Sequence, residues 1–219
     1  MKLRLYGYWR SSCSWRVRIA LAYKGLAYEH VAVHLLQAGG EQHRAEYTAK
    51  NPLAQVPLLE VETTDGARRV AQSLAIIELL EDLHPEPALL PREPFARARA
   101  RQLAEMINAG IQPLQNLGVM KHVKSLGADP HVWARHFIAR GLVALEAEAA
   151  ATAGRYLVGD APTVADLCLV PQLYNARRND VDVAPFPTLL RVEAACATLP
   201  AFEAAHADRQ PDAPPPEER

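Results

Sequence analysis

What most constrains this chain is an abrupt change of pattern at a cluster of prolines. Before it, short strand-like runs alternate with runs of helical spacing; after it, only helical spacing remains. Leu3 to Tyr8 reads as a strand, Ser14 to Lys24 as a helix, and Tyr28 to Val33, Leu58 to Val61 and Arg69 to Ala71 as three further strands. A helix follows over Ser73 to Leu83, where Leu74, Ile77, Leu80 and Glu81 keep a helical period. The expected order is β-α-β-α-β-β-α. Pro85, Pro87, Pro91 and Pro94 suit an extended connector over 85–94, separating a domain at 1–84 from one at 95–207. The second stretch is rich in alanine, leucine, glutamate and arginine at helical spacing, so the fold class is an α/β domain followed by an all-α domain. Within it, Thr163-Val164-Ala165-Asp166 reads as a capping box opening a buried helix over Leu167 to Leu173. The tail 208–219, with Pro211, Pro214, Pro215 and Pro216 among charges, is expected to be mobile because it carries little apolar surface.

A formal charge of −1 leaves no broad field to draw in nucleic acid or an anionic membrane, so any anion site must be local and the partner small. Arg97, Arg99 and Arg101 splay to different helix faces without aromatic residues between them, so nucleic acid is not an expected partner. Three widely spaced cysteines, Cys13, Cys168 and Cys196, form no disulfide framework, and the eight histidines form no ligand spacing; no metal is expected. Gly39-Gly40 lacks the surroundings of a phosphate loop. The N-terminal residues lack a signal-peptide pattern and no apolar stretch is long enough to span a bilayer, so the chain is expected to be cytoplasmic.

Three segments could carry chemistry. Ser11-Ser12-Cys13-Ser14 lies between the first strand and first helix, where open N–H groups and the helix dipole favour an anion or thiolate. The same serines would also serve simply as helix caps. Val56-Pro57 precedes the third strand, where Val56 could pair with a short extended peptide, or where the pair could form an ordinary edge turn. Gln72-Ser73 opens another helix and would grip a carboxylate.

The strings Ser11-Ser12-Cys13-Ser14-Trp15-Arg16-Val17-Arg18, Asn51-Pro52-Leu53-Ala54-Gln55-Val56-Pro57, Gln72-Ser73-Leu74-Ala75-Ile76-Ile77-Glu78 and Ala165-Asp166-Leu167-Cys168-Leu169-Val170-Pro171-Gln172 closely resemble the zeta class of glutathione transferases, which includes maleylacetoacetate isomerases. The resemblance runs from about Leu3 to Asp212. It implies a thioredoxin-like first domain, a helical second domain, a homodimer, and glutathione as cofactor. Position by position, it implies that Ser11 hydrogen-bonds the glutathione thiolate with Ser12 and Cys13 beside it. Gln42 and Gln55 would line the glycyl side, Val56 the cysteinyl backbone, and Gln72 and Ser73 the γ-glutamyl end. Gln112 and Asn116 stand where the family closes its active cleft.

The activity the resemblance implies is cis–trans isomerisation of maleylacetoacetate or maleylpyruvate by reversible thiolate addition. Glutathione transfer to small α-halo acids, or their dehalogenation, is an alternative; a non-catalytic binding module and a glutaredoxin-like role are two more. A carboxylate-bearing substrate calls for cationic partners, and Arg10 and Arg178 are the candidates. Arg177, where the family often has an acid, adds a positive charge that could retune substrate choice, and Asn179 replaces a frequent aromatic residue. Cys13 reads either as a nucleophile or as a small packed neighbour, Cys168 and Cys196 as core, and Arg16 and Arg18 as solvated or structurally paired.

Overall fold

A computed structural model describes residues 2–218. The chain divides into two compact units, Met1–Pro87 with Pro200–Arg219, and Ala88–Leu199.

The first unit is built on a four-stranded mixed sheet in the order β2-β1-β3-β4. Its strands are β1 (Lys2–Gly7), β2 (Glu29–Ala32), β3 (Leu58–Thr63) and β4 (Gly66–Ala71). β1 and β2 are parallel, joined through helix α1 (Ser12–Tyr23), whereas β1–β3 and β3–β4 are antiparallel. The short helix α2 (Ala45–Thr48) falls between β2 and β3, and α3 (Ser73–Leu83) follows β4, so the element order matches the pattern expected from the sequence. Register explains which face each residue serves. Leu3 pairs with Val61 and Leu5 with Leu59, so these four side chains share one buried face. Tyr6 and Leu58 point the other way and pack with Val33, Val56, Ala71 and Tyr47 of α2. The edge strand β4 is charged and exposed, and Arg69 is paired to Glu60 of β3 at 2.7 Å, a pattern that discourages edge-to-edge association.

Lys24 at the end of α1 is buried and donates to His84 O at 2.7 Å and Pro87 O at 3.0 Å while pairing with Glu81. These bonds occupy carbonyls that the proline-rich stretch could not satisfy by continuing the helix.

The second unit is helical: α4 (Pro94–Asn108), a 3-10 turn Gln112–Gln115, α5 (Leu117–Ser125), α6 (Pro130–Ala150), α7 (Val164–Arg178) and α8 (Pro187–Ala197). Pro94, read from the sequence as the end of the connector, is instead the first residue of α4. A proline has no N–H to lose there, and Glu93 caps the helix by accepting from Phe95 and Ala96 N–H. The capping box at the start of α7 is present, and Asp166 accepts from Thr163 N–H, Thr163 O–H and Leu157 N–H. Burial pushes the Asp166 carboxyl up to about 6 in spite of backbone and hydroxyl donors that favour its ionised form. Cys168 and Cys196 are wholly buried.

The C-terminal segment departs from the expected layout. Helix α9 (Pro200–Ala204) and the 3-10 turn Ala207–Arg209 belong to the first unit, where α9 packs against α1. The segment after Asp208, expected to be mobile, is tied down: Gln210 Nε2 donates to Ala204 O and His206 O, and Asp212 accepts from Trp9 N–H at 2.8 Å. Poverty of apolar side chains does not prevent ordering when buried polar groups supply the anchors and prolines reduce the entropy lost. Among the described residues no helix is long and apolar enough to cross a membrane.

Candidate active site

The register of the sheet brings the three candidate segments of the first unit to one margin. Tyr6 of β1 lies opposite Leu58 of β3, which lies opposite Ala71 of β4. The end of β1, the start of β3 and the end of β4 therefore share one edge, and the chain leaves them through Ser11, Val56 and Gln72-Ser73.

At the β1 exit, Ser11 caps α1. Its Oγ accepts the Ser14 N–H at 3.2 Å, which leaves the hydroxyl proton free to be donated outward. The N–H groups of Ser12 and Cys13 meet no acceptor among the described residues, as first-turn geometry dictates, and the first turn of α1 holds no acidic side chain to offset them. Ser11 and Cys13 are half-buried and Ser12 is buried. Behind the cap, Ser14 is fully buried against Gly7, where an added Cβ would sit 3.2 Å from Ser14 Oγ.

At the entrance to β3, the carbonyl of Gln55 is taken by Tyr47 O–H at 2.6 Å and Asn51 Nδ2 at 2.7 Å. The backbone N–H and C=O of the next residue, Val56, have no partner among the described residues, while its side chain packs in the core beside Tyr47. The Val56–Pro57 peptide is cis. Val56 thus presents one donor and one acceptor to an extended peptide.

At the exit of β4, Gln72 has φ 73° and ψ 117°, a backbone that side-chain-bearing residues rarely adopt and that costs on the order of 1–3 kcal/mol. It is the residue that turns the strand directly into α3, leaving Ser73 buried at the first position of the helix. No sequence signal announced this strain; it follows from having a single residue between strand and helix. Ser73 Oγ accepts from Arg16 Nη1 at 3.2 Å, a bond that links the starts of α1 and α3. Arg16 is fully buried, and so is Arg18, which donates to Tyr8, Trp9 and Ala205 carbonyls. Burial lowers the Arg18 pKa to about 10, so it stays charged at neutral pH. Both arginines are therefore structural partners, and neither is solvated.

Gln42 is buried in a 3-10 turn, with Nε2 at the limit of reach of Leu35 O and Oε1 without a partner among the described residues; Gln55 is exposed. Arg10 is half-buried, its guanidinium 5.2 Å from the Trp9 ring.

In the second unit, Gln112 opens the 3-10 turn and Asn116 caps α5 by accepting from Gly118 N–H at 3.3 Å. Arg178 is the exposed last residue of α7. Arg177 is not a spare charge: it forms two bonds to Glu193, at 2.6 and 2.5 Å, and so cannot serve as the retuning cation inferred from sequence. Asn179 ends α7 and donates to Asn175 O at 2.8 Å. Gln115 and the fully buried Gln172 are joined at 2.7 Å, a pair the sequence did not single out.

A mixed sheet followed by a helical unit, with a serine-capped helix and an open peptide-pairing residue on one margin, defines the glutathione transferase class. Residues 5–88 match the family model for the glutathione S-transferase N-terminal domain. The chain is 49% identical to maleylacetoacetate isomerase of Rattus norvegicus over 210 residues, covering 96% of this chain and 94% of the relative. Among solved structures it resembles maleylacetoacetate isomerase from Anaeromyxobacter dehalogenans 2CP-1 with bound GSH in the active site, at 56% identity and TM-score 0.90, covering 97% and 98% of the two chains. It also resembles the holo structure of maleyl pyruvate isomerase, a bacterial zeta-class glutathione S-transferase, at 41% identity and TM-score 0.89, covering 96% and 100%. The chain belongs to the maleylacetoacetate isomerase family, the zeta class of glutathione transferases.

Proposed function

We propose that this chain is a glutathione-dependent cis–trans isomerase that converts maleylacetoacetate, or maleylpyruvate, to the fumaryl isomer. The observation that carries the reading is full-length likeness to maleylacetoacetate isomerases, one of them with GSH in its active site, combined with unengaged donors on the sheet margin. The residues present fit a thiol tripeptide carrying carboxylates at its ends. When bound, glutathione supplies a thiolate that adds reversibly to the conjugated double bond and so permits rotation about it.

The chain's own groups divide the work. Ser11 donates its hydroxyl proton to the sulfur, and the Ser12 and Cys13 N–H groups hold its negative charge. Val56 pairs with the cysteinyl backbone through its free N–H and C=O. Gln72 and Ser73 take the γ-glutamyl end at the start of α3, with Ser73 aligned by Arg16. Gln42, whose buried Oε1 lacks a partner, and Gln55 serve the glycyl side. Arg10 and Arg178 are the proposed partners of substrate carboxylate, and the roles of Gln112, Asn116 and Arg178 rest on the family resemblance. Cys13 is a neighbour of the thiolate that contributes its N–H. The same resemblance supports a homodimer working in the cytoplasm on products of aromatic-compound breakdown, such as those of tyrosine degradation.

The deciding experiment offers maleylacetoacetate, maleylpyruvate and a chloroacetic-type acid in parallel, with and without glutathione, and compares kcat/KM. Faster turnover of a maleyl substrate than of the halo acid, only with glutathione and without net glutathione consumption, is the expected result. Isomerisation that proceeds equally well without glutathione would contradict the proposal, and preference for the halo acid would replace it by transfer or dehalogenation.

A further inference from the structure

The turn between β1 and α1 runs Tyr8-Trp9-Arg10-Ser11 and delivers the capping hydroxyl to the sheet margin. Internally it is closed by one backbone bond, Ser11 N–H to Tyr8 O at 3.0 Å. From outside, buried charges of opposite sign grip Trp9 at both ends of its backbone. Its N–H donates to Asp212 Oδ2 at 2.8 Å, and its C=O accepts from Arg18 Nη2 at 2.8 Å. Arg18 Nη1 also reaches Tyr8 O at 3.3 Å, and its Nε reaches Ala205 O at 3.2 Å.

Asp212 is itself fixed. Its Oδ1 lies 3.0 Å from His30 Nε2 on β2, and both side chains are largely buried. The titratable and charged groups that face Asp212 are His30 of β2, Arg18 of α1 and the Tyr28 phenol. Burial alone would raise the Asp212 pKa, but His30 and the Trp9 N–H together hold it below the usual carboxylate range, so it is ionised at neutral pH. An N–H bond to a carboxylate is charge-assisted and stronger than one to a neutral acceptor. The tail does not depend on this bond to stay docked, because Gln210 binds Ala204 and His206 carbonyls separately. Asp212 is thus the point at which the C-terminal segment takes hold of the site-bearing turn.

We propose that Asp212 is a positioning residue for the reaction: from the far end of the chain it holds the Trp9–Ser11 turn, and through it the Ser11 hydroxyl, in the geometry that stabilises a bound thiolate. It acts through the turn and touches no reacting atom. The inference rests on the glutathione-dependent function proposed above.

The test uses the full chain with Asp212→Ala, Asp212→Asn and Asp212→Glu. Asparagine keeps an acceptor oxygen for Trp9 N–H, whereas glutamate keeps the charge but displaces it by one methylene. In glutathione-free protein, amide hydrogen exchange at Trp9 to Ser11 should quicken by about tenfold in the alanine variant, as expected when a charge-assisted anchor is lost, and stay near wild type in the asparagine variant. With glutathione, the thiol pKa, read from the ultraviolet thiolate band, should rise by up to about one unit in the alanine variant, with kcat at neutral pH falling by up to about tenfold. The KM for the maleyl substrate should change less than about twofold, because uniform binding is untouched. Should the alanine variant not fold, the glutamate variant carries the test, with a smaller rise in thiol pKa expected. A folded alanine or glutamate variant with wild-type thiol pKa and kcat overturns the proposal, and so does loosening of the turn without any change in thiol pKa. If wild type itself neither lowers the thiol pKa nor isomerises, the functional reading fails and takes the inference with it, a result distinguishable from one in which only the variants match wild type.

Discussion

Replacing Ser11 by alanine removes two things at once, and the structure separates them. The first is the cap: Ser11 Oγ accepts the Ser14 N–H at 3.2 Å, and losing such a cap costs about 1 kcal/mol. For a chain of this size that lowers Tm by roughly 2–4 °C. The second is the outward hydroxyl proton. If that donor accounts for about one unit of the bound thiol's depression from a reference near 8.5, the thiolate fraction at pH 7 falls from about a quarter to about 3%, close to eightfold. Because the loss is one of ionisation, it should fade as pH rises, and the rate of Ser11→Ala should approach wild type above about pH 9. Ser11→Gly is the partner variant. Glycine caps a helix nearly as well as serine, at a cost of a few tenths of a kcal/mol, so its Tm should stay near wild type while its pH–rate profile moves with that of alanine. Ultraviolet titration of bound glutathione and a pH series of kcat, with thermal melts beside them, decide the matter. An unchanged thiol pKa in both variants, or a rate loss that persists at high pH, would refute the assignment of Ser11.

Gln72→Gly should move stability and affinity in opposite directions: relief of the φ 73° backbone keeps Tm at or above wild type, while loss of the side chain raises KM for glutathione about tenfold; a parallel fall in both would show that the side chain is structural. Asp166, buried and raised from 3.8 to about 6, favours the folded state most when protonated, so its contribution of about 3 kcal/mol is present below pH 4 and lost as pH rises through about 6. Urea unfolding across that window should show this slope in wild type and not in Asp166→Asn; equal slopes would remove Asp166 as the source. Because Arg177 is held by Glu193, Arg177→Gln should leave the ratio of rates for acid and uncharged electrophiles within about twofold and cost at most about 1 kcal/mol of stability, whereas Arg178→Gln should weaken acid substrates selectively. A large change of ratio in Arg177→Gln would restore it as a substrate-facing charge.

The sequence alone determined the element order of the first unit, the helical character of the second, the capping box at Thr163 and the segments that meet at the sheet margin, because each is a local property. Strand alternation, helix spacing and cap chemistry are encoded within a few residues of where they act. What the tertiary structure decided involves partners distant in sequence. Arg16 and Arg18 resemble surface arginines until α3 and α9 close over α1 and supply Ser73 and Ala205 as acceptors. Arg177 resembles a spare cation until α8 brings Glu193 within 2.6 Å. The tail resembles a disordered end because composition counts apolar side chains and not the carboxylate that Trp9 needs. The strain at Gln72 exists only because β4 must pair with β3 in one register while α3 starts one residue later. Local chemistry placed the candidates; burial and long-range hydrogen bonding assigned their work, because the free energy of a charge depends on what surrounds it after folding.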